Sequence, residues 1–416
     1  MESDDCTMKV LIVSQYFWPE NFRINDVVRS LVQEGVGVDV LTGKPNYPGG
    51  EKFPGYKGWG PQFEQFMGAQ VFRVPLAARG RGRAIKLALN YLSFVISGVL
   101  FGSLMLRKRR YDVIFVYAPS PILQALPAIF LGWLKRCGVI VWVQDLWPDS
   151  LSATGYVKNP RVLGLVEKVV RFIYRHTDLL LVQSEAFVAK VAALASGKRI
   201  AYYPNSVDAT FVAPPDIVLP EIPGLDDGFP IMFAGNLGSG QAVEVIIEAA
   251  SLLREHSDIR FVVVGQGSRR DWMLAEVLKR NLTNIHLPGQ YPIEVMPGLM
   301  QKAAILLVTL ADQMIFAATV PSKVQAYMAA GRPILACLNG EGAHLIHKAG
   351  AGLTCPAEDA QGLAQSVLHF YKMTTAEREQ MGENGRRYFK EHFDQDVLTG
   401  QLMDHFRATS ELKKGR

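Results

Sequence analysis

The feature of this sequence that most limits its fold is a repeated alternation of short apolar runs with amphipathic segments. Residues 10–17 (VLIVSQYF) and 36–43 (VGVDVLTG) are rich in β-branched residues, which is typical of strands buried on both faces. Between them, residues 26–33 carry apolar side chains at helical spacing. A strand, a helix and a strand in so short a stretch form a βαβ unit, so we expect a parallel sheet from the N-terminus onward.

The alternation continues along the chain and restarts after one irregular stretch. Residues 213–228 are rich in proline, glycine and acidic residues and form the predicted linker. We therefore predict two α/β domains with doubly wound parallel sheets, 8–212 and 229–385, and a final helical segment, 386–412, that returns across the hinge. The further segments with predicted strands are 112–119, 139–150, 178–187, 199–208, 230–240, 260–270, 284–289, 303–310 and 333–338.

Composition excludes several classes of protein. The 416 residues are 49% hydrophobic with a formal net charge of +5, as in a globular protein with large cores. The four cysteines (Cys6, Cys137, Cys337 and Cys355) form no CxxC pair, and the first residues do not resemble a signal peptide. We expect reduced thiols in a protein that is made and kept inside the cell.

The sequence offers few groups that could hold a metal. His344 and His347 lie three residues apart without further ligands nearby, and no DxD pair follows a predicted strand. The Walker lysine, GxSxG and HExxH motifs are also absent from the sequence. We expect chemistry without a metal and without a cofactor.

Residues 87–106 contain no charge and are long enough to cross a bilayer. Basic residues flank both ends: Arg79, Arg81, Arg83 and Lys86 precede the segment and RKRR (107–110) follows it. Three interpretations compete: a spanning helix, a wholly buried helix, and a helix packed on the sheet whose outer face meets an anionic membrane. We favour the third, because it accounts for both the apolar segment and the basic clusters.

Two polar sites in the first half follow predicted strands, where open α/β sheets bind ligands. The loop 18–25 carries Glu20, Asn21 and Arg23, and the strand at 139–143 runs into Asp145. A carboxylate at Asp145 can hydrogen-bond a polar substrate, and an Asx cap of the following turn is the alternative. Ordinary solvated polarity is the alternative for the loop.

The stretch 319–333 (TVPSKVQAYMAAGRP) joins a loop to a helix. We predict Ser322 as the N-cap, with Lys323 in the first turn and Gly331 at the end. A helix N-terminus with a lysine beside it binds anions, phosphate above all. An ordinary helix cap is the alternative.

Two glycine-bearing turns lie in the same half of the chain. GNLGSG (235–240) departs from the dinucleotide fingerprint GxGxxG, and GQG (265–267) is followed by Arg269 and Arg270. Small residues at a strand end let backbone N–H groups approach a phosphate, and arginines can neutralise its charge. Together with Lys323, the two turns predict a site for a nucleotide diphosphate.

Several blocks of sequence then resemble a known family. QYFWPENFRINDVVRSLVQEG, VLTGKPNYPGG, QDLWPDS, YYPNSVD, AGNLGSGQAVEVIIEAA, FVVVGQG and VPSKVQAYMAAGRPIL occur in this order and look like the retaining glycosyltransferases of family 4. The similarity spans about residues 8–405 and is greatest to the N-acetyl-fucosamine and colanic-acid-type transferases of bacterial polysaccharide synthesis. It implies the GT-B fold: two Rossmann-like domains that face a cleft, with nucleotide-sugar in the second and acceptor in the first. It also implies metal-independent transfer with retention.

The departures from that family are informative. The two glutamates of most relatives fall here on Ala318 and Ala326, and Glu341 is placed to take one of their contacts. The family's basic residues in the first turn of the second domain fall on Asn236 and Gln241, which shifts the charge to Lys323 and Arg269. Where many relatives have a histidine, this chain has Gln144–Asp145. These differences suggest a donor other than glucose or mannose, such as a 6-deoxy amino sugar.

The sequence thus predicts a transferase that moves a sugar from a UDP-sugar to a lipid-linked saccharide, such as a polyprenyl-diphosphate sugar, at the inner face of the membrane. Lys323 and Asp145 are the expected catalytic residues, and Glu20, Asn21 and Arg23 the expected acceptor contacts. A UDP-sugar 2-epimerase and a non-catalytic membrane-bound partner protein are the alternatives. The expected donor contacts are Gly235, Asn236, Gln241, Gln266, Gly267, Arg269, Thr319, Ser322, Lys323 and Glu341.

Overall fold

The computed structural model describes residues 8–51, 53–56, 59–80, 84–153, 157, 159–207, 209–212 and 216–415. The chain divides into two compact units, unit 1 (Met1–Pro204 and Leu398–Arg416) and unit 2 (Asn205–Val397). Cys6, Arg81, Arg83 and the first residues of the predicted linker, 213–215, lie outside the described residues.

The strands and helices alternate through most of the chain. The strands are β1 (Lys9–Ser14), β2 (Gly37–Gly43), β3 (Gln62–Phe66), β4 (Ala69–Val74), β5 (Val113–Ala118), β6 (Gly138–Val143), β7 (Leu179–Val182), β8 (Arg199–Tyr202), β9 (Phe229–Ala234), β10 (Ile259–Val264), β11 (Ile285–Gly289), β12 (Ile305–Thr309), β13 (Ile334–Cys337) and β14 (Gly352–Cys355). The helices are α1 (Ile24–Gln33), α2 (Ala84–Met105), α3 (Ala125–Lys135), α4 (Asp149–Ala153), α5 (Pro160–Arg175), α6 (Glu185–Ala195), α7 (Ala209–Val212), α8 (Glu244–Leu252), α9 (Arg270–Lys279), α10 (Met296–Lys302), α11 (Met314–Ala317), α12 (Ser322–Ala330), α13 (Glu341–Ala349), α14 (Ala360–Lys372), α15 (Thr375–His392) and α16 (Gln395–Lys414).

Unit 1 contains an eight-stranded sheet in the order β3-β4-β2-β1-β5-β6-β7-β8. Its pairs are parallel except for the β3–β4 hairpin, which is antiparallel and was not among the predicted elements. Strand β3 reads QFEQF and is polar at three of its five positions, so no continuous apolar run marks it. The predicted parallel sheet is confirmed, and it reverses strand order between β1 and β5.

The C-terminal helix α16 packs on the sheet of unit 1. Leu398, Leu402 and Phe406 are buried in the core formed by one face of that sheet. The Phe406 ring lies edge-on to Phe115 of β5, with centroids 5.5 Å apart. The expected return of the C-terminal helix to the first domain is confirmed, and the apolar spacing along α16 is its physical reason.

Helix α2 lies on the opposite face of the same sheet and is buried on one side only. A Cβ added at Gly102 would lie 3.0 Å from Leu41 of β2, and one added at Gly98 would lie 3.0 Å from Pro127 of α3. The outer row of α2 is more than half exposed, so a wholly buried helix is wrong. That row is Ile85, Leu89, Leu92, Ile96, Leu100 and Leu104.

Unit 2 contains a six-stranded parallel sheet in the order β11-β10-β9-β12-β13-β14. Alternate side chains of β9 and β12 enter the two cores: Met232 and Leu306 on one face, and Phe233 and Leu307 on the other. From β9 the sheet continues through β10 and β11 on one side, and from β12 it continues through β13 and β14 on the other. This reversal places the carboxyl ends of β9 and β12 at the position where doubly wound sheets bind ligands.

The predicted linker is part of unit 2 where the structure describes it. Ile222 and Leu225 are 2% exposed and lie in the core with Met232 and Leu299. The division between the units falls earlier, between Pro204 and Asn205. Proline and acidic residues suggested a free linker, but its apolar residues bury their side chains, which ties the segment to the domain.

Candidate functional site

Two glycine turns are in direct backbone contact at the carboxyl edge of the unit 2 sheet. Gly235 follows β9 and Gly265 follows β10, and a Cβ added at Gly265 would lie 1.8 Å from the carbonyl oxygen of Gly235. Hydrogen bonds join the turns, from the Gly235 N–H to the Val264 carbonyl at 2.9 Å and from the Leu237 N–H to the Gln266 carbonyl at 2.8 Å. Only glycine permits this approach, so the two predicted turns form one surface.

Lys323 packs its side chain against the first of these turns. A Cβ added at Gly235 would lie 2.6 Å from the Lys323 Cε. The Lys323 Nζ donates a hydrogen bond to Oε1 of Gln241 and lies 4.3 Å from the centre of the Phe233 ring. The structure therefore brings together Gly235, Gln241 and Lys323, which are distant in sequence and were all predicted as donor contacts.

The protonation state of Lys323 is sensitive to a nearby anion. Burial lowers the pKa of this ammonium group from 10.5 to about 7. The side chain therefore exchanges its proton near neutral pH, and a nearby anion would favour its charged form.

Helix α12 holds Lys323 in place through its buried face. The Tyr327 hydroxyl accepts a hydrogen bond from the Ala234 N–H at 2.9 Å and lies 3.3 Å from the Leu307 carbonyl, to which it donates. The predicted end at Gly331 is confirmed, with that residue in the left-handed conformation. The predicted cap is wrong: Pro321 occupies the N-cap, and Ser322 is the exposed first residue of the helix without a capping hydrogen bond.

Glu341 begins α13 next to the loop that precedes α12. A Cβ added at Gly340 would lie 2.0 Å from the Ala317 carbonyl oxygen, and one added at Gly342 would lie 3.1 Å from Cδ of Pro321. Gly340 has φ +79°, which a side chain rarely adopts. These contacts place the start of α13 beside Ala318, where the first family glutamate is missing.

A cavity of about 660 Å³ opens beside the two glycine turns of unit 2. Gly235, Asn236, Gln266 and Gly267 line it, as predicted for donor contacts. The sequence did not predict its other walls, which come from helices and loops without a recognisable motif. These walls include Phe211, Gln290, Tyr291, Pro292, Ile293, Met296 and Met300.

The side chains of Arg269 and Thr319 make contacts with neighbouring residues and do not line the cavity. The Arg269 guanidinium pairs with the carboxylate of Glu244 and lies 4.3 Å from the centre of the Trp272 ring. The Thr319 hydroxyl donates to the Phe316 carbonyl at 3.1 Å. The Arg269 guanidinium is thus already paired with Glu244, and its role as a charge for a bound phosphate stays a prediction.

Unit 1 has its own cavity, of about 510 Å³, beside the carboxyl ends of β1, β5 and β6. Asp145 lines it and accepts hydrogen bonds from the Trp147 indole N–H at 3.2 Å and the Ser150 hydroxyl at 3.0 Å. Burial raises the pKa of the Asp145 carboxyl above its usual value. Asp145 therefore caps its own turn, as in the alternative, and also lines the cavity; its contact with a substrate stays a prediction.

The predicted acceptor loop contributes different residues from those expected. Glu20 is 3% exposed, and its carboxylate accepts hydrogen bonds from the backbone N–H groups of Asn46 and Tyr47, each at 2.7 Å. Glu20 therefore joins two loops and does not face the cavity, while Asn21 is exposed and Arg23 half-buried. The loop residue that lines the cavity is Phe22.

Aromatic residues form much of the wall that sequence reasoning missed. Phe22 stacks on Tyr16 with ring centroids 5.1 Å apart. Tyr47, Tyr91 and Trp147 also line the cavity. The available signal was the concentration of aromatic residues directly after predicted strands, in SQYFWP and PNYPGG.

Within the described part of the chain, no group of three or more His, Cys, Asp or Glu side chains is arranged to hold a metal ion. The expectation of chemistry without a metal stays a prediction.

Comparisons with known proteins agree in both units. The family described as "Glycosyl transferase 4-like domain" matches residues 21–206, and the family described as "Glycosyl transferases group 1" matches residues 228–373. The chain is 26% identical to the probable glycosyltransferase WbjE of Pseudomonas aeruginosa over 308 residues, which cover 72% of this chain and 74% of that protein. It is also 26% identical over 348 residues to the putative colanic acid biosynthesis glycosyl transferase WcaI of Escherichia coli K12, covering 78% and 82%.

Solved structures share the fold across the chain. Sucrose-phosphate synthase from Thermosynechococcus elongatus superposes with a TM-score of 0.73 at 16% identity, covering 96% of this chain and 98% of that one. HepE of Anabaena, solved in complex with UDP, gives a TM-score of 0.66 at 12% identity, with 97% and 100% covered.

Replacing Glu20 by Ala should destabilise unit 1 by about 2–4 kcal/mol, because buried N–H groups would lose a charged acceptor. Chemical denaturation followed by tryptophan fluorescence measures this. Asn21→Ala, one residue away and exposed, is the matched control and should change stability by less than about 0.5 kcal/mol. If the two variants are equally stable, the hydrogen bonds of Glu20 do not stabilise unit 1, and Glu20 becomes a candidate substrate contact again.

Proposed function

This chain belongs to the family 4-like glycosyltransferases of the GT-B fold, and from that premise we propose that it transfers a sugar from UDP to a lipid-linked saccharide with retention of configuration. The observation that carries the proposal is Lys323, held against the Gly235 turn by Gln241 at the point where the unit 2 sheet reverses its strand order. A lysine at a helix N-terminus beside close-packed backbone is a site for a diphosphate.

The diphosphate of the donor would bind at the start of α12. There Lys323 and the backbone N–H groups of the helix N-terminus offer positive charge. The charge of the leaving diphosphate grows as the sugar–phosphate bond breaks, so these groups stabilise the transition state more than the bound donor.

The nucleoside would occupy the adjacent unit 2 cavity. Phe211, Tyr291 and Ile293 offer apolar surface to a base, and Gln266 and Gln290 offer amide groups for hydrogen bonds. UDP as the nucleotide is supported by HepE, which has been solved with UDP and with UDP and glucose.

Glu341 would take the sugar contact that Ala318 cannot make. It stands at the start of α13, and the packing of Gly340 and Gly342 places that start against the loop between α11 and α12. A carboxylate there accepts hydrogen bonds from sugar hydroxyl groups. The absence of the usual glutamate favours an N-acetylated or 6-deoxy sugar as the transferred group.

The acceptor would bind in unit 1 with Asp145 as its polar contact. In a front-face displacement, the acceptor hydroxyl forms the new bond to the anomeric carbon as the bond to the phosphate oxygen breaks. The electrons of that bond leave with UDP, and the hydroxyl proton passes to a donor phosphate oxygen. The Asp145 carboxyl would orient the hydroxyl by a hydrogen bond.

The product would enter cell-surface polysaccharide synthesis at the inner face of the membrane. WcaI, named for colanic acid biosynthesis, supports this role. Helix α2, whose segment Ile85–Met105 is long and apolar enough to cross a membrane, would instead lie in the interface, because its inner side packs on the sheet. Arg107, Lys108 and Arg110 at its C-terminal end are exposed and would meet anionic headgroups.

Lys323→Ala should lower turnover by about a hundredfold or more, since it removes charge that acts on the leaving group. Glu341→Gln should lower kcat/KM by about tenfold. Transfer of radiolabelled sugar from UDP-sugars to lipid-linked acceptors in membranes measures both. Lys279→Met, at a lysine that is 74% exposed, is the control. Near-normal activity of Lys323→Ala would end the assignment, and turnover of UDP-N-acetylhexosamine without an acceptor would indicate an epimerase.

Binding of a UDP-sugar, whose doubly esterified diphosphate does not titrate between pH 6 and pH 8, should take up about one proton at pH 8 and almost none at pH 6. The free ammonium group, with its pKa of about 7, is mostly neutral at pH 8 and charged at pH 6, and a bound diphosphate restores the charge. Calorimetry in buffers of different ionisation enthalpy measures the uptake. Lys323→Met should abolish it. Proton uptake that persists in this variant would show that another group titrates.

Ile96→Glu combined with Leu100→Glu should weaken binding to phosphatidylglycerol vesicles by at least about tenfold, because charges would replace apolar groups of the interface. Co-sedimentation measures the bound fraction. Leu278→Glu in unit 2, at a residue that is 77% exposed, is the control. Unchanged binding of the double variant would exclude α2 as the contact.

A further inference from the structure

The unit 1 cavity has apolar walls and one polar end. Its walls are apolar side chains from three elements: Leu87 and Leu92 of α2, Val162 and Val166 of α5, and Leu123 of the turn before α3. Its other end lies at the carboxyl ends of β1, β5 and β6, where Arg79, Ser120 and Asp145 are found. A saccharide alone would leave the apolar walls in contact with water, so the shape suits a ligand that is apolar at one end.

The apolar end opens to the outside of the protein. Leu92 and Val162 line the cavity and are also 51% and 43% exposed, so they form its rim. Exposed apolar residues continue from this rim along both helices, to Leu89 on α2 and Leu165 on α5. An apolar chain could therefore pass from a bilayer against α2 into the cavity without crossing water.

The polar end carries a positive charge. The Arg79 guanidinium lies 5.2 Å from the centre of the Tyr47 ring, and its Nη1 is 3.5 Å from the Tyr16 hydroxyl. A guanidinium has five N–H donors and binds phosphate through two of them at once. The ring of Tyr47 fixes its direction, since cations are attracted to aromatic faces.

Asp145 lies in the same cavity as Arg79 and makes hydrogen bonds of its own. Its Oδ2 accepts from Trp147 and Ser150 of its own turn, so its charge is partly balanced there.

We propose that this cavity binds the isoprenoid chain next to the phosphate of the acceptor lipid, which enters between α2 and α5 and places its phosphate at Arg79. The inference rests on the proposed function in taking the acceptor to be lipid-linked. It adds that the enzyme recognises the chain itself, so that the apolar segment of the lipid, and not only its saccharide, determines affinity.

Binding of farnesyl diphosphate, measured by titration calorimetry on the full chain, tests the proposal without requiring sugar transfer. We expect saturable binding at least a hundredfold tighter than that of inorganic diphosphate, because the chain supplies the apolar contact. Dodecyl diphosphate, which has the same head group and a saturated chain, separates an isoprenoid site from an acyl site and should bind at least tenfold more weakly. Equal binding of dodecyl diphosphate, or no saturable binding of farnesyl diphosphate, would overturn the proposal.

Variants of the rim locate the site. Ala88→Trp fills the cavity from α2 and should weaken farnesyl diphosphate binding at least tenfold, whereas Ile96→Trp, two turns further along α2 and outside the cavity, should not. Val162→Asp charges the other rim and lies in the first turn of α5, where a carboxylate suits the helix N-terminus, so it should fold and also weaken binding tenfold. Unchanged binding in both rim variants would refute the site.

The same variants separate this inference from the proposed function. If the protein transfers sugar to a lipid-linked acceptor but does not bind farnesyl diphosphate, the chain site is wrong and the proposed function is supported. If both rim variants weaken the binding of farnesyl diphosphate but no UDP-sugar supports transfer, the chain site is supported and the proposed function is wrong.

Discussion

The contact between two backbone turns at the carboxyl edge of the unit 2 sheet is the constraint on which the proposed donor site depends. A side chain at Gly265 would overlap the carbonyl of Gly235, so β9 and β10 can end side by side only without a Cβ at this point. The bare backbone at Gly235 leaves room for the Lys323 side chain, whose Cε would lie 2.6 Å from a Cβ at that glycine. Lys323 is half-buried in this position, and burial of its ammonium group lowers its pKa toward neutrality.

A second constraint acts in unit 1, where helix α2 packs on the core with one side and is exposed on the other. The inner side of α2 must pack on β2 and α3 to complete the core, while its outer row is apolar and exposed. Proteins in water rarely expose so continuous an apolar surface, and this row is the basis of the proposed membrane contact. The same helix lines the unit 1 cavity, so membrane contact and acceptor binding would share one element.

The two sites differ in how far the sequence predicted them. The glycine turns and Lys323 were predicted because their signals are local: small residues after a buried strand, and a basic residue at a helix start. Gln241 was predicted only through the resemblance to the family. Glu20 and Arg269 looked equally suitable, yet each is occupied by a partner from elsewhere, the backbone of the 44–50 loop and Glu244 respectively. Sequence spacing does not reveal such partners. The aromatic wall around Tyr16 and Phe22 was missed because aromatic residues also fill ordinary cores.

The sequence by itself determined the class of fold and the alternation of strands and helices that forms two largely parallel sheets, because the hydrophobic period is a local pattern. It also determined the family, through blocks of residues that keep their order along the chain. Only the tertiary structure decided which polar residues face a cavity, that Ile222 and Leu225 tie the supposed linker into unit 2, and which side of α2 is exposed. These outcomes depend on contacts between segments far apart in the chain, and such contacts leave no periodic signal in the sequence.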